Sequence, residues 1–148
     1  MYKKILVAID DSETSRCALG EAIHIARNYG AKLCILHIVD ETLMGLHHRT
    51  ITTTLNLDHA RQALCAAGEA LIGAAKEQAG GVEVETRLIE DRDKRISQAI
   101  VEAAEAWRAD LLVAGTHGRR GLQLLIIGSV AEQLSRLATM SLLLVRKH

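Results

Sequence analysis

The segment richest in chemistry is Gly115-Thr116-His117-Gly118-Arg119-Arg120-Gly121, which follows an apolar run and leads, after Ile127, into Gly128-Ser129-Val130. Glycines behind a strand let the backbone curl and approach a ligand closely. A Gly-Ser pair that opens a helix presents free N–H groups and the positive end of the helix dipole, both of which favour an anion. Ser129 adds a hydroxyl donor, and Arg119 and Arg120 offer charge to a phosphate. Together these residues predict a phosphate cradle. It is not a P-loop, because GxxxxGK[ST] is absent, and no GxGxxG follows the first apolar run.

Other chemistry-bearing residues are weaker candidates. Asp10 ends the first apolar run and either contacts a ligand or caps the following helix, as Asp11 or Ser12 could. His117 is a phosphate partner, a general base, or a turn residue bonded to the backbone. His47, His48 and His59 have no standard metal-ligand spacing, so no metal site is expected. Cys17, Cys34 and Cys65 are odd in number and form no CxxC, which reads as reduced thiols. Cys34 is read as facing the sheet interior and is expected to be an inert core residue. Phosphoryl transfer needs a metal and a residue that positions the nucleophile. No carboxylate pair flanks the glycine loop, so no catalytic residue is assigned.

These residues need a scaffold, and the apolar periodicity supplies one. Ile5–Ile9, Leu33–Val39, Leu111–Ala114 and Leu142–Val145 read as buried strands, and Val82–Leu88 alternates like an edge strand with one wetter face. Leu19, Ala22, Ile23 and Ala26 recur at helical spacing up to Gly30, which suits a left-handed cap. Further helices are expected over Leu57–Ala79, Ile96–Trp107, with Trp107 as a packing residue, and Ser129–Leu137. Residues 41–56 read as a long surface loop, and Glu90–Arg95 as a connection. Strands alternating with helices require crossovers, hence one doubly wound α/β domain, 1–148, with a parallel sheet covered on both faces. In such sheets ligands bind beyond the carboxyl ends of the strands, which selects Ile9-Asp10-Asp11, Ile38-Val39-Asp40 and the loop after Ala114.

Composition narrows the partners. The 148 residues carry 18 basic and 18 acidic side chains, so no net field draws in a phosphate backbone. Tyr2, Tyr29 and Trp107 are the only aromatics, too few for a base-stacking platform. Nucleic acid is not an expected partner. No apolar run approaches the roughly 18–20 residues of a spanning helix, and Asp10-Asp11 cut the first run too short for a signal peptide. The expected location is the cytoplasm, with no membrane partner.

The pattern G-x2-G-x9-G-[ST], filled by Gly115, Gly118, Gly128 and Ser129, resembles the nucleotide-binding signature of the universal stress proteins. The opening Lys3-Lys4-Ile5-Leu6-Val7-Ala8-Ile9-Asp10 is similar to that family's first strand. The resemblance implies a five-stranded parallel sheet of order 3-2-1-4-5. It also implies ATP or AMP as the bound ligand, with Mg as a companion ion. By matching positions, Asp10 would contact the nucleoside, Ile38 and Ala8 the adenine, and Ala114 and Gly115 the length of the adenosine. Gly118, Gly128, Ser129, Val130 and Ala131 would surround the phosphates. The role implied is a stress-response regulator acting on another protein. The alternatives are a slow ATP hydrolase or other nucleotide-dependent enzyme, and an interaction-only dimer with an empty pocket. The apolar closing strand at the sheet edge, and the family's habit, predict a homodimer. Three positions depart from the family pattern. Glu90–Ile96 lacks the usual Gly and Pro, which should alter that loop but not the pocket. Ser141 replaces a Pro, and Ala131 lacks the hydroxyl some members carry.

Overall fold

The computed structural model describes residues 1–40, 54–91, 94–117 and 127–147, with backbone alone for 54–56. The elements run β1 (Lys4–Ala8), α1 (Glu13–Tyr29), β2 (Lys32–Asp40), α2 (Thr54–Gln78), β3 (Val84–Asp91), α3 (Ile96–Trp107), β4 (Leu111–Gly115), α4 (Ser129–Leu137) and β5 (Ser141–Val145). The strands form one sheet in the order β3-β2-β1-β4-β5, with every pairing parallel. This is the order the family resemblance implies, in a single α/β domain.

Helix α1 shows how local sequence sets these elements. The Ser12 Oγ accepts the Ser15 N–H at 3.2 Å and caps the first turn. Ala18, Leu19, Ala22, Ile23 and Ala26 bury one face. The helix stops at Gly30, whose φ of 63° and ψ of 34° are left-handed, a conformation glycine adopts without a Cβ penalty.

Successive strand residues point to opposite faces of the sheet, and each face has its own core. Ile5, Val7, Leu33, Ile35 and Val113 pack with α1 and α2. Leu6, Cys34, Leu36, Leu112 and Ala114 pack with α3 and α4. Trp107 belongs to the second core, as expected. Its indole N–H donates to Glu85 Oε2 at 2.9 Å, and the Lys4 ammonium lies 4.9 Å from the ring centroid.

Burial pushes the Cys34 thiol up to about 11 from its ordinary 9.0. Native Cys34 should therefore resist iodoacetamide at pH 8, while the half-buried Cys17 and Cys65 are modified first. Peptide mapping after a short exposure reads this directly. Above pH 9 the unfolded thiol loses its proton while the folded one keeps it, so stability falls as pH rises from about 9 toward about 11.

Two boundaries differ from the sequence reading by three residues, the others by less. Helix α2 begins at Thr54, so 54–56 are helix rather than loop; residues 41–53 lie outside the described residues. Strand β3 continues through Glu90 and Asp91, which the sequence assigns to a connection. Its partner β2 is long enough to extend the ladder, pairing Val39 with Glu90 and Asp40 with Asp91. An edge strand with a wet face accommodates those charges.

Candidate functional site

The strand order reverses beside β1, with β2 on one side and β4 on the other. Ligand crevices form at such a switch point, beyond the carboxyl ends of the strands. A cavity of about 890 Å³ opens there, within the usual size range of small-molecule pockets. Ala8, Asp10, Ile38, Ala114, Gly115, Gly128, Ser129, Val130 and Ala131, scattered over 124 positions of sequence (from 8 to 131), all line it. Gly118 and Arg119 lie outside the described residues, as do Arg120, His47 and His48. His59 is exposed on α2.

The turn after β1 is held by its own side chains. Asp10 Oδ1 accepts the Ser12 N–H at 2.8 Å, and the Asp10 N–H donates to Ser15 Oγ at 2.9 Å. Ser12, not Asp10, is therefore the helix cap, and the Asp10 carboxylate is fixed at the cavity wall by an Asx turn.

Gly115 ends β4 for a reason of space. A Cβ there would stand 2.8 Å from Thr14 Oγ1, 3.0 Å from the Thr14 carbonyl carbon and 3.1 Å from the Ser15 nitrogen. The first turn of α1 thus packs directly on the end of β4. Thr14 and Ser12 secure this contact by donating their hydroxyls to the His117 carbonyl.

Gly128 stands directly before α4, and its N–H donates to the Thr116 carbonyl at 2.8 Å. The Thr116 N–H donates to Val145 at 2.9 Å, so one residue ties β5, β4 and the start of α4 together. Gly128 is the N-cap, in extended conformation with φ −60° and ψ 154°, and no side chain caps the helix. Among the described residues, the N–H groups of Ser129, Val130 and Ala131 find no protein acceptor. The arrangement offers an anion three donors and a helix dipole at a cavity wall.

His117 departs from the turn-residue reading. Its Nδ1 lies 3.0 Å from the Thr116 hydroxyl instead of bonding backbone, and among the described residues its buried Nε2 has no partner.

Several cavity residues carried no signal strong enough to select them from sequence. His37, 6% exposed, interrupts the apolar run of β2. Its Nδ1–H donates to the Ile9 carbonyl at 2.8 Å, fixing the backbone just before Asp10. Gly68 of α2 leaves room for the ring, since a Cβ there would meet His37 Cδ2 at 2.8 Å. Asp91, Lys94, Arg95, Ile96 and Ser97 also line the cavity. This corrects the expectation that the altered loop before α3 leaves the pocket untouched. Extension of β3 carries Asp91 alongside Asp40 at the end of β2.

The sequence model of the universal stress protein family matches residues 1–146. The chain is 32% identical over 151 residues to universal stress protein YxiE of Bacillus subtilis, covering 99% of this chain and 100% of the relative. It is 32% identical over 150 residues to universal stress protein MJ0531 of Methanocaldococcus jannaschii, covering 99% of this chain and 84% of the relative. A solved structure from the universal stress protein family of Burkholderia pseudomallei superposes with a TM-score of 0.76 at 28% identity. That likeness covers 97% of this chain and 96% of the other. The chain belongs to the universal stress protein family. Among its described residues, no helix is long and apolar enough to cross a membrane.

Proposed function

We propose that the cavity binds an adenine nucleotide and that the chain acts as a nucleotide-dependent regulator in the stress response. One observation carries the reading: the uncapped start of α4 opens on the same cavity as the Asp10 carboxylate and the apolar ends of β1 and β2. A phosphate suits the first, a ribose hydroxyl the second, and a flat base the third. Two solved universal stress proteins of this fold support it. One is in complex with cAMP, at 24% identity and a TM-score of 0.64. The other, from Archaeoglobus fulgidus, is in complex with dAMP, at 22% identity and a TM-score of 0.61.

In this reading Asp10 accepts a ribose hydroxyl, while Ile38 and Ala8 pack on the adenine. Ala114 and Gly115 run along the adenosine. Gly128, Ser129, Val130 and Ala131 enclose the phosphates, with Gly118 and Arg119 completing the cradle. Mg would arrive on a triphosphate, bound to its phosphate oxygens. The reading assigns no residue to positioning an attacking water, so it favours binding over turnover. Mass spectrometry of small molecules released from the denatured, purified protein tests it. An adenine nucleotide supports regulation by binding; a metabolite with a transferable group would favour an enzyme instead.

The same reading includes a homodimer through β5, an edge strand of the sheet. The Val145 carbonyl faces β4, because it accepts the Thr116 N–H. The N–H and C=O of one strand residue point the same way and alternate along the strand, so Leu143 also faces β4. The backbone N–H and C=O of Leu142 and Leu144 point outward from the sheet edge, while their side chains pack on the second core. Leu144→Pro should remove an outward donor and shift the protein toward monomer. Leu143→Pro should instead damage the sheet itself. Analytical ultracentrifugation decides; a wild-type protein that is monomeric at tens of micromolar (a scale typical of stable dimers) would rule out the dimer.

A further inference from the structure

Ser97 sits in the first turn of α3 and is 1% exposed. Its hydroxyl donates to Oε1 of Gln133 on α4, and both residues line the cavity. A buried hydroxyl bonded to one amide oxygen holds that amide in a single orientation. The Gln133 oxygen is turned to α3, which leaves the NH₂ group with two donors to offer. Among the described residues that group has no hydrogen-bond partner. Gln133 lies one helical turn beyond Ser129 on the same face of α4. Helical side chains lean toward the N-terminus of their helix, so the amide reaches back toward the unpartnered N–H groups of the first turn.

We propose that Gln133, oriented by Ser97, is a phosphate-contacting residue of the nucleotide site. The inference rests on the nucleotide reading above and deepens it by assigning a residue that discriminates a phosphorylated ligand from a bare nucleoside. Ser97 is a positioning residue in this account, acting only through the Gln133 amide.

The test compares AMP and adenosine by calorimetry in four proteins: wild type, Gln133→Glu, Ser97→Ala and Ser97→Thr. Gln133→Glu keeps an acceptor for Ser97 but turns a charge on the phosphate. It should weaken AMP by about tenfold, equivalent to about 1.4 kcal/mol, while adenosine changes little. Ser97→Ala should lower the AMP-to-adenosine preference by a few-fold, and Ser97→Thr, which keeps a hydroxyl, should restore it. Thermal melts of the same samples check folding, and Gln133→Glu keeps the test valid if the buried Ser97 variants unfold. An unchanged preference in Gln133→Glu, or equal loss of both ligands, would overturn the phosphate contact. Wild-type protein binding neither ligand would instead overturn the nucleotide reading, and this inference with it.

Discussion

Gly115→Val is expected to lower the melting temperature by several degrees and to weaken nucleotide binding with it. The Cβ alone would meet two backbone atoms of α1 at 3.0 and 3.1 Å as well as the Thr14 hydroxyl. Backbone in a capped first turn cannot yield as a flexible side chain can. Overpacking of this kind costs about 1–3 kcal/mol, and valine adds two further methyl groups. For a domain of this size each kcal/mol corresponds to about 2–4 °C. Displacing α1 also pulls on Thr14 and Ser12, which hold the His117 carbonyl, so His117 should shift with them. Thermal denaturation followed by circular dichroism measures the first effect. A melting temperature equal to wild type would mean that α1 and β4 do not approach as closely as described.

Gly128→Val should have the largest effect on ligand binding, with at least a tenfold loss of affinity, or about 1.4 kcal/mol. The backbone at 128 is extended, with φ −60° and ψ 154°, a conformation valine can adopt. The loss would come from its side chain occupying space at the start of the helix. Gly128→Ser separates the two roles of this position. A serine N-cap accepts an N–H from the first turn and stabilises the helix slightly. It thereby competes with a phosphate for the same donor, so stability should hold or rise while affinity falls. Calorimetry and melting curves on both variants distinguish this pattern from general damage; equal affinity in wild type and Gly128→Val would refute the site assignment.

The sequence revealed the scaffold because its signals are local. Leu111–Ala114 is apolar on both faces of a central strand, and Gly30 stops α1 by adopting a left-handed cap. Ser129–Leu137 matches α4 residue for residue. Local character misleads where tertiary pairing overrides it. Glu90 and Asp91 look like loop residues, yet Val39 and Asp40 draw them into the ladder.

The same limit governed the site. Asp10 and Gly128-Ser129 were legible because a strand end and a helix start announce themselves. Gly115 was legible as important but not for its reason, since its proximity to Thr14 depends on how α1 packs. His37 gave a faint signal as the sole histidine within Leu33–Val39. Gln133 is an ordinary helix residue until Ser97, 36 positions away, turns its amide.

The most direct measurement of the central claim is a calorimetric titration of AMP and ATP into the wild-type protein freed of any co-purified ligand. The account predicts one site per chain with micromolar affinity, about 8 kcal/mol of binding free energy, for which AMP and ATP compete and which Gly128→Val weakens. No binding of either nucleotide at millimolar concentration would contradict it and leave the cavity to another ligand.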